Sequence, residues 1–414
     1  MLLSKATTIK VTDVQSNIIG HMGYAAYKLW NVCKYERDNH EALGLTDYPD
    51  WYYQKKAHKD NMWYRQLPSQ TAQEVCKQLD KGYKSFFSLL KSKGIEEPKP
   101  PKYKHSCIPV TYMQNGIMHE DDTLRLTLSK SLKQFMADEY GIHASYLYLK
   151  NRMFQVRGTI KQLKLYMPED NVMRIIIVYE IPDVQLLPYN GNILAIDMGV
   201  HNPLTTYDNV NHTSMIYGRQ YASMVRNYEK LIAHYKSISY AQQSARGIKY
   251  PKMSNRVKSL YTKKRNSIKD LFHKATRSIV SYCVENDIRT VVIGDITGIR
   301  EDNDHGDANN QTFHALPYRQ IAGMFRYKLA MCGIELVQVS EAYTSRTSPK
   351  AKAVDKTHAV KSNRKKRGLY KDGTDIYNAD SVGAYNIMRV YLQKYKKSAT
   401  LKYDRLSSPT KVAV

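Results

Sequence analysis

The chain has 414 residues, and its 63 lysines and arginines outnumber its 38 aspartates and glutamates, which gives a formal net charge of +25. This charge is spread along the chain and favours a polyanionic partner, nucleic acid above all, although a passive binder would share it. No run of about 18 apolar residues occurs, which excludes a transmembrane helix. The five cysteines are scattered and odd in number, which excludes a disulfide framework. Because the N-terminus lacks the apolar core of a signal peptide, we expect a cytoplasmic protein without a membrane partner.

The first half of the chain predicts a strand, then helices, then further strands. An opening strand is predicted at Thr7 to Thr12, and helical apolar spacing follows from Ser16 to Leu90. Prolines at positions 98, 100 and 101 mark a boundary, after which residues 103–181 are rich in strand-forming side chains. Residues 1–187 are therefore predicted as one recognition half, with a helical lobe at about 13–102 between strands at about 1–12 and 103–187.

The second half, residues 188–414, opens with short strand patterns around Asp197, Thr205 and Met215, which predict a meander. A long amphipathic helix is predicted from Ser254 to Glu285. Basic side chains occupy the faces of this helix away from its apolar stripe and are candidates for nucleic-acid contact: Lys258, Lys263, Lys264 and Arg265.

Three acidic stretches carry the candidate chemistry: ILAIDMGVHN around Asp197, VVIGDITGIRE around Asp295 and YNADSVGAYNIMR around Asp380. Asp197 ends an apolar strand pattern, and Asp380 opens a helix pattern in which Gly383 allows close packing on a sheet. An acid at a strand end suits metal binding better than core packing, although Asp also favours helix caps and turns for structural reasons. The order of strand acid, long middle and late helix acid is typical of RNase H-type nucleases.

Residues 194–389 resemble the RuvC-like nuclease domain of the TnpB (OrfB) proteins of insertion sequences, relatives of the compact type V CRISPR effectors. Further segments match in the same order along most of the chain: LPSQTAQEVCKQLDKGYKSFF from Leu67, KPPKYK from Lys99, FHALPYRQIAGMFRYKLAMCGIELVQVSEAYTS from Phe313, and NADSVGAYNI from Asn378. The resemblance implies an α+β and α/β chain. It also implies an N-terminal β-barrel with an inserted helical lobe, followed by an RNase H-like (RuvC-like) nuclease domain.

The chain departs from the family pattern where a strand usually ends in Glu, because Gly294 stands there and Asp295 follows. Side chains alternate along a strand, so Asp295 is predicted to point away from the missing Glu and is the weaker candidate. GIELVQVSE reads as a strand that Glu341 closes on the face of Val337 and Val339. We therefore predict Glu341 as the third metal ligand beside Asp197 and Asp380, with a solvated strand-end Glu as the alternative.

A second departure concerns zinc, because family members carry a four-cysteine ribbon and no cysteine here follows Cys332. The sequence excludes that ribbon. Residues at about 342–377 are instead predicted as a polar, basic insertion that lies against nucleic acid or is simply a solvated loop. Its candidate contact residues are Arg364, Lys365, Lys366 and Arg367.

The resemblance implies an RNA-guided DNA endonuclease that uses two Mg²⁺ ions held by Asp197, Glu341 and Asp380. Its implied partners are a guide RNA from the same locus and a double-stranded target DNA next to a short flanking motif, and its implied location is the nucleoid. No phosphate-binding P-loop occurs, so no nucleotide cofactor is expected.

Two other functions stay open. One is a nuclease-dead, RNA-guided DNA-binding repressor, which Gly294 and the missing zinc ribbon favour. The other is a guide-independent RuvC-like transposase or resolvase, which would not need the large N-terminal half.

Overall fold

The computed structural model describes residues 1–92, 95–199, 201–295, 316–364 and 368–414. The chain forms two units, Met1–Asp183 and Val184–Val414. Among the described residues, none of the helices has the length and apolar character needed to cross a membrane.

The first unit begins with strand β1 and then four helices. Their bounds are β1 Leu2–Lys10, α1 Asp13–Asp38, α2 Trp51–Ala57, α3 Met62–Arg65 and α4 Ser69–Ser92. Thr12 caps α1 in a reciprocal box, in which its side chain accepts from the Gln15 N–H while Gln15 accepts from the Thr12 N–H. Helices α1 and α4 bury apolar side chains spaced three to four residues apart, among them Ile18, Met22, Ala25 and Leu29 on α1.

The strands that follow the helices build two antiparallel sheets. Their bounds are β2 Val110–Met113, β3 Ile117–Glu120, β4 Thr123–Thr127, β5 Tyr146–Lys150, β6 Thr159–Leu165 and β7 Val172–Glu180, with helix α5 at Lys130–Tyr140. One sheet has the order β1-β7-β6-β2 and the other the order β3-β4-β5. Strand β1 therefore pairs with β7 across the whole helical insertion, from Leu2 opposite Glu180 to Lys10 opposite Val172.

The predicted closed barrel is not found within the described part of this unit. Strand β2 has four residues and leads, through the 3₁₀ helix Gln114–Gly116, into the separate three-stranded sheet. No described strand pairs β2 with β1, so the four-stranded sheet stays open at both edges. The order of strand, helices and strands agrees with the prediction.

The second unit contains a six-stranded mixed sheet. The strands are β8 Ile193–Asp197, β9 Leu204–Asp208, β10 Ser214–Tyr217, β11 Thr290–Asp295, β12 Glu335–Ser340 and β15 Thr410–Val412, in the order β12-β11-β8-β9-β10-β15. Strands β8, β9 and β10 form the predicted antiparallel meander. Strand β11 pairs parallel to β8, and β12 pairs parallel to β11. The apolar runs ILAI and TVVI suit these positions because parallel strands are covered on both faces.

Helices cover both faces of this sheet. They are α6 Tyr221–Ala245, α7 Asn255–Glu285, α8 Tyr318–Ala330 and α9 Ala379–Lys394, and a hairpin of β13 Leu369–Asp372 and β14 Asp375–Asn378 precedes α9. Helix α7 confirms the long helix predicted from Ser254, whose side chain caps it. One core joins Leu194, Ile196, Val291 and Ile293 to α7 and α8. The opposite core joins Ile193, Ala195, Val292 and Val339 to α9.

Candidate active site

Asp197 is the last residue of β8, and it continues the row of Ile193 and Ala195 on the sheet face that α9 covers. Its side chain lies against Gly383 of α9. A Cβ atom at position 383 would be 2.9 Å from the Oδ2 atom of Asp197 and 3.0 Å from its Cγ atom. Only glycine lets the helix approach this carboxylate so closely.

Asp380 is the second residue of α9, and Asn378 caps that helix. The Asn378 side-chain oxygen accepts from the backbone N–H groups of Asp380 and Ser381 at 3.1 and 3.0 Å. The Asn202 amide donates to the Asp380 Oδ2 atom at 2.7 Å, and the Arg364 guanidinium lies 4.0 Å from its Oδ1 atom. Asp380 is therefore oriented by its own helix cap and by Asn202, which follows β8.

Glu341 directly follows β12, and its side chain lies over Gly294 of β11. Gly294 pairs with Val339, so Glu341 is two residues further along on the same face. A Cβ atom at position 294 would overlap the Cγ atom and the carboxyl group of Glu341. The space that a side chain at Gly294 would occupy is filled by the carboxyl of Glu341.

The electrostatics of these acids reflect burial and mutual repulsion. Burial, followed by the charges of Glu341 and Asp380, raises the pKa of Asp197 well above its ordinary value, while Arg364 opposes the shift. Burial, followed by the charge of Asp295, raises the pKa of Glu341 to about 7. The Glu341 Oε1 atom is buried and has no hydrogen-bond partner among the residues described. Such an oxygen is costly to bury unless a cation or a proton meets it.

Asp295 stands at the end of β11, in the row of Val291 and Ile293, which face the core formed with α7 and α8. Regular alternation thus directs Asp295 away from the face that carries Asp197 and Gly294. It nevertheless lies near enough to Glu341 to raise the pKa of that carboxyl.

The turn after Glu341 is attached to α9, the helix that carries Asp380. The Thr344 hydroxyl donates to the Glu341 carbonyl oxygen at 2.8 Å. The buried Asn386 amide donates to the carbonyl oxygens of Thr344 and Thr347, both at 2.8 Å. Arg389 donates to the Ser348 carbonyl at 3.1 Å. One helix therefore presents Asp380 and fixes the chain that follows Glu341.

The donor set suits a hard divalent ion, because it offers carboxylate oxygens whose charges otherwise repel each other. The described residues contain no group of three His, Cys, Asp or Glu side chains placed to hold one ion. Asp197, Glu341 and Asp380 thus share one region of the sheet but do not form a compact ligand cluster.

The predicted nucleic-acid residues have different surroundings. Arg364 is exposed beside Asp380, whereas Lys365, Lys366 and Arg367 lie outside the described residues. Of the four predicted residues on α7, Lys258, Lys263 and Arg265 are exposed. Lys264 is less exposed and donates to Glu229 of α6 at 3.1 Å. The structure therefore brings Arg364, alone of these described residues, beside the acidic site.

Sequence reasoning missed four residues around the acids. Asn378 could have been found, since Asn is a favoured helix cap and Asp380, two residues later, is an acid in the first helical turn. Asn386 and Arg389 carry no local signal, because their partners lie on a turn about 40 residues earlier in the chain. Asn202 likewise contacts an acid that is remote in sequence.

Comparisons with known proteins match two segments of the chain. Residues 176–300 match the family model OrfB_IS605, described as a probable transposase. Residues 318–387 match the model of the Cas12f1-like TNB domain. These matches confirm the predicted resemblance to the TnpB/OrfB proteins. No curated protein sequence matches the chain.

Solved structures of Cas12 proteins are similar to the chain at low identity. A Cas12f1–sgRNA–target DNA complex is 14% identical with a TM-score of 0.33, and the match covers 93% of this chain and 98% of that one. A CRISPR–Cas12f ternary complex is 14% identical with a TM-score of 0.38 and coverages of 94% and 82%. CasPhi-2 (Cas12j) bound to crRNA and phosphorothioate DNA is 10% identical with a TM-score of 0.37 and coverages of 97% and 93%.

Proposed function

We propose that the protein is an RNA-guided DNA endonuclease whose RuvC-like site consists of Asp197, Glu341 and Asp380. The observation that carries the proposal is the position of Glu341 over Gly294. Gly294 stands where the family pattern has its strand-end Glu, and a carboxyl from the neighbouring strand occupies the space above it. The carboxyl group that the family pattern places at the end of β11 is therefore supplied here by Glu341, which follows β12. It lies on the sheet face that also carries Asp197.

The architecture of the second unit supports this proposal. An antiparallel meander extended by two parallel strands on the far side of its first strand is the arrangement expected of an RNase H-like nuclease. The three acids come from a central strand, a neighbouring loop and a packed helix. We infer that this edge of the sheet is where a DNA phosphodiester is cut.

Asp197, Glu341 and Asp380 would hold two Mg²⁺ ions, which supply charge neutralisation, an activated water and stabilisation of the leaving 3′-oxygen. Neighbouring residues of the chain position these acids. Asn202 and the Asn378 cap orient Asp380, and Gly294 and Gly383 give two carboxyl groups room at the sheet. Asn386 fixes the turn that follows Glu341. Arg364 is placed to contact a phosphate beside Asp380.

A guide RNA and a double-stranded target DNA are the proposed partners. The net charge of +25 supports a polyanionic partner. The Cas12f1 and Cas12j structures named above contain a guide RNA and DNA. Sequence reading would come mainly from base pairing with the guide, and the N-terminal half would recognise a short flanking motif.

The proposal is tested by co-expressing the protein with its neighbouring non-coding RNA and assaying cleavage of a plasmid library with randomised flanks in Mg²⁺. We expect wild type to cleave, and Asp197→Ala and Glu341→Ala to bind the same target without cutting it. The double variant Gly294→Glu/Glu341→Gly returns the carboxyl to β11 and should restore part of the activity that Glu341→Gly removes. Gly294→Glu alone is the matched control. It places a second carboxyl group in the space that the Glu341 carboxyl already fills, so it should not raise activity.

A nuclease-dead DNA-binding repressor is the second candidate, favoured by the finding that the described residues hold no compact group of three ligands. Guide-dependent binding of a defined target without cleavage by wild type would establish it. Cleavage without any RNA would instead indicate a guide-independent transposase or resolvase.

A further inference from the structure

The segment between Glu341 and α9 is the place where the sequence lacks the cysteines of a zinc ribbon. It begins with the turn at residues 342–351 and ends with the hairpin β13–β14, which leads directly into α9. No cysteine follows Cys332, so thiolates cannot join the turn to the hairpin. Side-chain contacts between these two parts hold them together instead.

Two aspartates face each other at the tip of the hairpin. Asp372 ends β13 and Asp375 begins β14, and the two residues are cross-strand partners. Gly373, between them, has a φ of +61°, which favours glycine and allows the tight turn. Carboxylates that lie directly opposite each other in an antiparallel pair repel each other. A donor or a cation that meets these charges therefore stabilises the tip.

The turn after Glu341 supplies both a donor and a cation. The Ser348 hydroxyl donates to the Asp372 carboxylate, and the Lys350 ammonium forms an ion pair with the Asp375 carboxylate. The backbone N–H of Lys350 donates to the Ser348 hydroxyl oxygen at 3.0 Å, so the two side chains are held in one turn. The hydrogen bond to Asp375 is the largest cause that raises the pKa of Lys350, and the charge of Asp372 adds to it.

A buried tyrosine supports the same connection. Tyr370 of β13 is fully buried, and its hydroxyl donates to the Arg346 carbonyl oxygen at 3.2 Å. That carbonyl oxygen also accepts from the Val360 N–H at 2.9 Å. The Lys350 and Asp375 side chains are each 44% exposed, and an isolated ion pair of this kind contributes little stability. Here the pair adds to a connection that a buried side chain already orders, which lowers the entropy that its formation costs.

We propose that four polar side chains form a metal-free clasp, which positions Glu341 relative to Asp380: Ser348, Lys350, Asp372 and Asp375. The clasp joins the turn that follows Glu341 to the hairpin that leads into the helix of Asp380. Its four members are positioning residues, which act on the two acids through the backbone. A displacement of about 1 Å in a catalytic group can cost on the order of a hundredfold in rate. The roles of Glu341 and Asp380 rest on the proposed function, whereas the clasp does not depend on cleavage.

The first test measures cleavage by the full chain with its guide RNA in Mg²⁺. We expect Lys350→Met to lower the single-turnover cleavage rate at saturating target by about five- to tenfold and to leave target affinity unchanged. Lys350→Arg keeps the charge and should cleave like wild type. The charge swap Lys350→Asp/Asp375→Lys should restore most of the rate. Lys274→Met, which removes an exposed ion pair with Asp270 on α7, is the matched control.

The second test measures hydrogen exchange of the full chain in EDTA and needs no cleavage. In Lys350→Met, we expect the backbone amides of residues 345–351 and 369–378 to exchange at least about fivefold faster than in wild type. Exchange at Glu341 and Asp380 should also become faster, which reports on the positioning of these acids directly. Lys274→Met should exchange like wild type in all of these residues.

Three results would overturn the proposal. Exchange in Lys350→Met equal to that of wild type would show that the ion pair does not hold the segment. A loss that the charge swap does not restore would show that Lys350 acts on nucleic acid instead of on Asp375. Wild-type protection that disappears in EDTA would show that a metal holds the segment. Faster exchange at Glu341 and Asp380 supports the clasp even if wild type does not cleave DNA, so a failure of the proposed function is distinguishable.

Discussion

Two acidic side chains of the second unit, Asp208 and Glu341, differ in the hydrogen bonds that their carboxyl groups accept. Asp208, which ends β9, is fully buried and accepts hydrogen bonds from the backbone N–H groups of Val210, Asn211 and Thr213 and from the hydroxyls of Thr213 and Tyr282. Glu341 follows β12, and its buried Oε1 atom has no partner in the part of the chain that the structure describes. Local donors stabilise the Asp208 carboxylate, whereas the Glu341 carboxyl has a buried oxygen that accepts no hydrogen bond from the described residues. The difference separates an acid whose hydrogen bonds are satisfied by the fold from the acid that we propose as a metal ligand.

The largest expected effect is at Glu341. Glu341→Gln keeps the shape of the side chain and removes its charge, so guided cleavage in Mg²⁺ should fall by more than about a thousandfold. Thermal unfolding of the metal-free variant should be unchanged or shifted to higher temperature, because an unmet buried charge is removed. Single-turnover cleavage rates and melting curves check both parts. Cleavage at the wild-type rate would remove Glu341 from the site.

Asp208→Asn should show the opposite pattern. The amide cannot accept all the hydrogen bonds that the carboxylate accepts, so unfolding free energy should fall by about 2 to 3 kcal/mol. Guided cleavage by the folded fraction, measured well below the melting temperature, should stay near the wild-type rate. Urea unfolding followed by circular dichroism gives the stability change. A variant as stable as wild type would contradict the structural role given to Asp208.

The pH dependence of stability tests the burial of the Glu341 carboxyl. The folded-state pKa of Glu341, about 7, lies above its ordinary value of 4.5, so its contribution is fully present below the lower value and is lost as pH rises through the higher one. Burial and neighbouring charge shift the pKa of Asp197 in the same direction. Between about pH 5 and about pH 8, the free energy of unfolding of the metal-free wild type should fall by on the order of 2 kcal/mol relative to that of Glu341→Gln.

Mg²⁺ should reduce that loss at the upper end of the range, since a bound cation favours the ionised carboxyl groups. The loss of unfolding free energy is measured by urea unfolding of wild type and Glu341→Gln at several pH values, with and without Mg²⁺. Equal pH profiles for the two proteins would show that the buried carboxyl of Glu341 does not titrate in this range.

Local pattern predicted the elements that carry the acids but not the contacts between them. Apolar runs ending in an acid located β8 and β12, and the cap residue Ser254 with the apolar stripe located α7 to within one residue. The catalytic roles of Asp197, Glu341 and Asp380 stay predictions. The contact of Asn202 with Asp380, and the space over Gly294, depend on how distant segments pack, and neither leaves a periodic signal.

The predicted closed barrel is not found among the described residues, for a related reason. Strand-forming composition between residues 103 and 181 indicates strands, but it does not specify which strands pair. In the structure, a 3₁₀ helix at Gln114–Gly116 directs the chain away from β2 into a second sheet, so the strands divide between two open sheets. Turn geometry, rather than strand propensity, decided the architecture of this region.

The smallest expected effect is at Arg364, and Lys264 serves as its comparison because each of these basic residues lies near an acidic side chain. Arg364 is exposed and lies 4.0 Å from Asp380, whereas Lys264 already forms an ion pair with Glu229 at 3.1 Å. If Arg364 contacts a phosphate at the site, Arg364→Gln should slow guided cleavage by about tenfold and reduce the salt dependence of DNA binding by about one unit of slope. Lys264→Gln loses only a partly exposed pair and should cleave almost as wild type does. Cleavage rates and DNA affinities at several salt concentrations distinguish the two variants. Equal losses in both would mean that general positive charge, and not the position of Arg364 beside Asp380, supports cleavage.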